Sequence, residues 1–239
     1  MGRERVPLKP GWVNTDLPRE FYSDTDYLRI FGFYVVHALR PNRSSKGKLI
    51  TDYGWPRDVW KVSSSVSLKD VLLYVADLHM RSPIYDIVTR EPVLAETFAV
   101  SQKHDGVCEA CNRAGVPEEF TRIRGANRIA VYNSEDNAML SVFDHIRNAF
   151  AHGRFTIYND GFIALESGKS VYDSEKGKNL FDVRGRMILK KETLITWISI
   201  IESGKLDDKI VREIENKRNK AKEERKMNRK KRKDTECRM

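Results

Sequence analysis

Residues 133–153 read NSEDNAMLSVFDHIRNAFAHG and form the most regular helical pattern in this chain of 239 residues. Apolar side chains recur there with the spacing i, i+4, i+7 and i+11, which places them on one face of an α-helix: Met139, Phe143, Ile146 and Phe150. Asn133 suits the capping position at the start of such a helix, and Gly153 suits its C-terminal end. The pattern predicts one helix over residues 133–152 that buries its apolar stripe in the core.

A polar stripe lies almost opposite the apolar one on this helix. It consists of Ser141, His145, Asn148 and His152, with Asp144 beside it and Arg147 at the seam between the two stripes. Solvated helix faces usually hold Glu, Lys and Gln, since His and Asn are poorer helix formers. An imidazole exchanges protons near neutral pH, and a guanidinium can bind two phosphate oxygens at once. The stripe is therefore a candidate active site, and the plain alternative is the solvated side of an amphipathic helix.

The segment Arg147-Asn148-Ala149-Phe150-Ala151-His152 resembles the Arg-x-x-x-x-His motif of HEPN ribonucleases, including the polar residue that often follows the Arg in that family. Its place near the end of a long helix, before Gly153 and a short β segment, is also similar to HEPN proteins of prokaryotic defence and toxin loci. The resemblance covers about residues 65–205. It implies a mainly α-helical, HEPN-like bundle with a small β-hairpin or sheet inserted after the motif helix.

The resemblance also implies an activity, the metal-independent cleavage of RNA by attack of the ribose 2′-hydroxyl on the adjacent phosphate. It assigns acid/base catalysis to His152, phosphate binding to Arg147 and an orienting hydrogen bond to Asn148. Asp144 and His145 are supporting candidates. No metal and no cofactor are expected. Such enzymes act as toxins or in abortive infection against phage, which implies RNA as substrate and an antitoxin or sensor as a possible partner.

The spacing of the motif bears on its oligomeric state. Residues five apart on an ideal helix differ by about 140°, so Arg147 and His152 do not point in the same direction. HEPN enzymes pair two motif helices across a two-fold axis, so that each cleft uses residues from both chains. The resemblance therefore implies a homodimer that buries the polar stripe.

The rest of the chain divides into three segments. Residues 1–64 read as an irregular N-terminal arm, with a helix over Tyr27–Arg40 and a long loop, packed on the bundle; 65–205 form the HEPN-like domain; 206–239 form a charged helix and a basic tail. Further helices are predicted over Leu68–Arg81, capped by Ser67, and in the apolar stretch from Pro92 to about His104.

A small β element is predicted after the motif helix. Two short β-rich runs flank Asn159-Asp160-Gly161, which is a strong hairpin pattern. A further strand is expected near Val183–Leu189, followed by a helix over Glu192–Ser203 that ends at Gly204. Ser167-Gly168-Lys169-Ser170 lacks the first glycine and the spacing of a nucleotide-binding loop.

The positive charge of the chain is concentrated at one end. The net charge is +9, and residues 217–233 hold eleven Lys or Arg and two Glu, so this segment alone carries +9. The remainder is neutral, and the charge says nothing about the folded body. Such a tail attracts polyanions, including RNA, without sequence preference, although many charge runs are merely solvated. The RNA-binding candidates are Arg154, Lys230, Lys231 and Arg232.

Cysteine usage and hydropathy indicate a cytoplasmic protein. Three cysteines, an odd number, and no secretion signal favour a reducing compartment, and no apolar run approaches the length of a membrane span. Cys108 and Cys111, with His104 upstream, supply three of the four ligands that a structural zinc site needs, so metal binding there stays an open question.

Two other functions compete with the ribonuclease. One is a non-catalytic, HEPN-like module that binds RNA or a protein. The other is an interaction protein in which the Arg-to-His spacing is accidental.

Overall fold

Two long antiparallel strands form the centre of the structure. The computed structural model describes residues 21, 23–39, 47–60, 66–80, 96–116, 126–134, 137–174 and 177–236. These residues form the helices α1 Thr25–Phe31, α2 Leu68–Val75, α3 Val107–Ala114, α4 Ala138–Ala151, α5 Lys191–Ser203 and α6 Asp208–Glu236. They also form the strands β1 Phe98–Ser101, β2 Arg128–Tyr132, β3 Phe155–Ile157, β4 Phe162–Asp173 and β5 Lys178–Lys190.

The five strands make one mixed sheet with the order β1-β2-β5-β4-β3. β1 and β2 are parallel, and α3 lies between them in the chain, which makes a β-α-β unit. The other neighbours are antiparallel. The hairpin predicted around Asn159-Asp160-Gly161 is confirmed as the β3–β4 connection, where Gly161 has a φ of +80° that favours glycine.

The expectation of a mainly α-helical, HEPN-like bundle is wrong, because the chain is an α/β protein built on this sheet. The stretch predicted to be helical up to His104 contains β1 instead, and residues 128–132 form a second buried strand. Short, continuous apolar runs such as FAVS and RIAVY fit a strand that is covered on both faces as well as a buried helix. Only the pairing of these two runs with each other and with β5 decides the outcome.

Helices cover both faces of the sheet. The larger core lies between the sheet and helices α1, α2, α4 and α5, with Ile30, Leu72, Phe143 and Trp197 among its buried side chains. The smaller core lies under α3 and includes Val107, Ala110, Ala130 and Ile188. Among the described N-terminal residues, Tyr27 and Ile30 of α1 are buried in the larger core.

The motif helix exists, with shifted ends. α4 begins after Asn137, whose side chain accepts hydrogen bonds from the N–H groups of Met139 and Leu140. The expected cap, Asn133, lies before the helix, where its Oδ1 accepts from the Ser141 hydroxyl. The predicted C-terminal end is confirmed, since Gly153 follows the helix with a φ of +63°. The predicted core stripe of α4 is buried as expected.

The remaining helices follow their capping residues. Ser67 caps α2 in a reciprocal arrangement with Asp70, as predicted, but α2 ends at Val75 rather than Arg81. α1 continues as a π-helical turn, Gly32–Val36, and so ends before Arg40. The predicted helix before Gly204 is confirmed as α5.

α6 is the long, charged C-terminal helix that the sequence predicted. Its first turns pack on α2, where Ile214 is buried, Glu213 accepts from the Tyr74 hydroxyl at 3.0 Å, and Arg218 pairs with Asp70 at 2.7 Å. In the described part of the chain, no helix combines the length and apolarity that crossing a bilayer requires.

Candidate active site

An open cleft of about 470 Å³ lies at the C-terminal end of α4. Asn148 and His152 of the motif line it together with Arg154, which directly precedes β3. The opposite wall belongs to the central strands and consists of Ser167, Gly168, Lys169, Ser170 and Phe181. The structure therefore brings two of the three predicted catalytic residues into one cavity with one of the predicted RNA-binding residues.

His152 stands at the mouth of this cleft with an exposed side chain. It occupies the C-terminal cap of α4, and its backbone N–H still donates to the carbonyl oxygen of Asn148 at 3.1 Å. The helix ends at this residue because Gly153 adopts a left-handed conformation. The backbone of His152 is thus fixed at the end of the helix, and its side chain is accessible to a ligand.

Asn148 is held by its two predicted neighbours. Its side-chain oxygen accepts a hydrogen bond from Arg147 Nη1 at 3.0 Å, and its Nδ2 donates to Asp144 Oδ2 at 3.0 Å. Asp144, Arg147 and Asn148 are all half-buried on the same side of α4. These contacts fix the orientation of the amide, and the long Arg side chain reaches it from the seam of the helix, although Arg147 itself is not among the described residues that line the cleft.

His145 does not belong to the site. It is only 3% exposed and sits between α4 and the sheet. Its Nε2 lies 2.8 Å from the carbonyl oxygen of Tyr132 and its Nδ1 lies 2.5 Å from the Ser167 hydroxyl. A carbonyl only accepts, so Nε2 carries the proton and Nδ1 accepts from Ser167. Desolvation by burial lowers the pKa of His145, which keeps this imidazole neutral.

The two halves of the polar stripe therefore have different environments. Ser141 and His145 are buried, while only Asn148 and His152 reach the cleft. A helical wheel cannot separate these pairs, because the sheet covers only part of the stripe's length. The supporting role predicted for His145 is structural rather than catalytic.

Arg154 is the cation that the fold places in the cleft. Its Nη2 donates to Glu166, a carboxylate with 0% exposure on β4, and Glu166 also accepts from Arg186 Nε at 2.9 Å. Two guanidinium groups share one carboxylate, so the group retains one positive charge. The Arg154 guanidinium also lies over the ring of Phe181, with 3.8 Å between its Cζ and the ring centroid. These contacts hold a planar cation beside His152.

Sequence reasoning missed the strand wall of the cleft, although the hairpin contained the information. In the observed register, Phe155 pairs with Leu165 and Ile157 with Ile163. Extending this register backwards places residues 167 and 168 across from the end of α4. A hairpin turn at Asn159-Asp160-Gly161 thus predicts which part of β4 lies beside the Arg147–His152 motif.

The remaining sequence candidates lie elsewhere. Cys111 is buried on α3, and burial raises its pKa to about 12, which keeps it a protonated thiol. Among the described residues, no three His, Cys, Asp or Glu side chains are grouped as a metal site would require. Lys230, Lys231 and Arg232 belong to α6, and their side chains lie outside the described part of the structure.

A second open cavity, of about 640 Å³, has the opposite electrostatic character. Asp24, Asp160 and Glu192 line it, and its one lysine, Lys191, is paired with Asp24 at 2.8 Å. This ion pair lowers the pKa of Asp24 and raises the pKa of Lys191. Excess negative charge makes this cavity unsuited to a phosphate.

Comparison of the chain with protein-family models, curated proteins and solved structures finds no match.

Proposed function

We propose that the chain is a metal-independent endoribonuclease whose active site is the cleft at the end of α4. One observation carries the proposal: an exposed imidazole, His152, shares a positively charged cleft with a hydrogen-bonded amide, Asn148. None of the described residues that line this cleft is a carboxylate, whereas Arg154 and Lys169 are cations. An RNA phosphate is the ligand that this charge distribution favours.

The proposed reaction moves one proton and exchanges one bond at phosphorus. The 2′-oxygen attacks the adjacent phosphate, the bond from phosphorus to the 5′-oxygen breaks, and the products carry a 2′,3′-cyclic phosphate and a 5′-hydroxyl. The proton that leaves the 2′-hydroxyl must be replaced on the 5′-oxygen. An imidazole is suited to this transfer because its ordinary pKa is about 6.5. We assign the proton transfer to His152.

The other motif residues would act on the phosphate. Asn148 is oriented by Arg147 and Asp144 and can donate or accept one further hydrogen bond in the cleft. Arg147 keeps donors that are not used by Asn148, and we assign it a contact with the phosphate, beside Arg154. Developing negative charge in the transition state is stabilised by such fixed cations.

The proposal includes a homodimer. The described lining of the cleft contains one histidine, and the reaction needs both a base and an acid, so a second copy paired through the exposed end of α4 would supply the other imidazole. Light scattering should then give twice the mass of the chain. Because each cleft then needs the imidazole of both copies, a mixed dimer of the parent chain and the His152→Ala variant should be inactive, and a monomeric mass would exclude this part of the proposal.

A cytoplasmic toxin or anti-phage effector, restrained by an antitoxin or sensor protein, is the biological setting that we propose from the motif. Cys111 is a buried, free thiol, which suits a reducing compartment.

The test compares two exposed histidines. The full chain is incubated with total RNA and tRNA, with and without a chelator, and His152→Ala should lower the cleavage rate at least about 100-fold. His79→Ala is the matched control, because His79 is also exposed but pairs with Asp77 away from the cleft. A 2′-deoxy substitution at the cleaved position should block the reaction.

The possible results separate the functions. Cleavage that survives in His152→Ala, or that stops with the chelator, contradicts the assignment. RNA binding without cleavage by the parent chain supports the non-catalytic binding module instead.

A further inference from the structure

The β4–β5 hairpin extends beyond the rest of the sheet next to the cleft. Pairing between these strands runs from Phe162 with Lys190 to Asp173 with Lys178. β2 pairs only with residues 185–188 of β5, and β3 pairs only with residues 163–165 of β4. Residues 168–173 and 178–183, here called the hairpin arm, therefore form a two-stranded projection among the described strands.

At the base of the hairpin arm, the Arg154 guanidinium is stacked on the Phe181 ring. A Cβ atom on Gly168 would lie 2.6 Å from Phe181 Cε1 and 2.4 Å from the carbonyl oxygen of Asp182, so only glycine lets the Phe181 ring lie across this position. The Arg154 guanidinium lies over the same ring, and Glu166 holds Arg154 from the side. A planar cation thus faces the cleft with its orientation fixed before any ligand arrives.

A second platform stands further out on the same face of the arm. Ser170 pairs with Phe181, and Tyr172 lies two residues beyond Ser170, so Tyr172 shares the face of Phe181 as its diagonal neighbour. Such neighbours are about 7–8 Å apart. Tyr172 is 63% exposed, so its ring is accessible to a ligand.

We propose that the hairpin arm binds single-stranded RNA and guides it to His152; this inference rests on the proposed function. One base stacks on the Arg154 guanidinium and the next on the Tyr172 ring, while the Ser170 hydroxyl on the same face contacts a backbone phosphate. Successive bases in a duplex follow at roughly 3.4 Å along each strand. To place successive bases on two separate side chains, the strand must leave the stacked geometry of a duplex, so paired RNA is rejected.

The test measures binding apart from cleavage. In the full chain carrying His152→Ala, fluorescence anisotropy is recorded with a labelled single-stranded RNA of mixed sequence and with its duplex, at one salt concentration. Tyr172→Ala should weaken single-strand binding about 5- to 20-fold and leave duplex binding within twofold. Tyr172→Phe should restore binding, because it keeps the ring. Leu28→Ala is the control, as Leu28 is a similarly exposed apolar residue on α1.

The outcomes distinguish this inference from the proposed function. The role of the hairpin arm is overturned if Tyr172→Ala leaves single-strand binding unchanged, or if it weakens duplex binding equally. This holds even if the unsubstituted chain cleaves RNA. If Tyr172→Ala weakens single-strand binding alone and the unsubstituted chain does not cleave RNA, the binding role of the hairpin arm stands and the catalytic proposal fails. Equal melting temperatures of the Tyr172 variants exclude unfolding as the cause.

Discussion

His145 and His152 belong to the same helical segment but differ in exposure, because the sheet covers the first and the cleft opens beside the second. His145 faces the sheet, where Gly185 lacks a side chain and lets the ring approach; a Cβ there would lie 3.1 Å from His145 Cγ. His152 lies seven residues later, where α4 has ended and the cleft opens. The first is a neutral structural group with both ring nitrogens hydrogen-bonded. Only the second is accessible to a ligand in the cleft.

The buried imidazole makes the stability of the fold depend on pH. Burial lowers the pKa of His145 in the folded chain, so below the unfolded pKa of 6.5 the unfolded state binds a proton that the folded state does not. The free energy of unfolding therefore falls as the pH drops from about 6.5 to the pKa of His145 in the folded chain. Above pH 6.5 the contribution of His145 to this free energy is constant. His145→Gln, which cannot be protonated, should flatten this part of the profile. Urea unfolding between pH 4.5 and 8 checks it; parallel profiles for the two proteins would contradict the prediction.

At the scale of the elements, the hairpin arm depends on one glycine. Gly168→Ala forces the Phe181 ring or the strand to move, which we expect to destabilise the fold by about 1–3 kcal/mol and to weaken RNA cleavage through the displaced Arg154. Gly32→Ala is the matched control, because nothing lies within 4 Å of the added Cβ and Gly32 is helical. It should be neutral or stabilise by up to about 1 kcal/mol. Equal melting temperatures for the two variants would refute the crowding at Gly168.

Elements that are marked by turn or capping residues close in sequence could be predicted, and elements that depend on long-range strand pairing could not. Asn159-Asp160-Gly161 and the caps Ser67 and Gly204 act over a few residues, and the hairpin, the start of α2 and the end of α5 all follow them. The sequence of β1 contains no comparable turn or capping pattern. It becomes a strand because it pairs with β2 some thirty residues away, and that pairing is invisible in a local apolar pattern.

The same distinction applies to the site. The motif residues Asn148 and His152 were recognisable because they are close in sequence, and the structure keeps them together in the cleft. Glu166 and Phe181 come from separate strands and carry no local motif. Their part in the site depends on the register of β4 against β3 and β5, which sets which side chains meet Arg154.

At the scale of the whole molecule, charge and fold are separated along α6. Among the described residues, the contact with α2 furthest along this helix is that of Arg218 with Asp70, and the helix continues for another 18 residues, about 27 Å, to Glu236. This distal part carries most of the basic residues of the tail. It can therefore attract RNA without taking part in the fold.

Removing the distal part of α6 should consequently separate attraction from catalysis. Deleting residues 219–239 removes ten Lys or Arg against four Asp or Glu and keeps the anchoring contacts of Glu213, Ile214 and Arg218. We expect an unchanged melting temperature, weaker RNA binding at low salt and unchanged cleavage at saturating RNA.

Replacing Lys230, Lys231 and Arg232 by Gln should by itself reduce the slope of log affinity against log salt by about 2, since each phosphate contact with single-stranded RNA contributes roughly 0.7. A salt slope that stays the same in both variants would show that the tail does not contact RNA. Loss of all binding on truncation, with no cleavage by the parent chain, would identify the tail as the RNA-binding element of a non-catalytic protein.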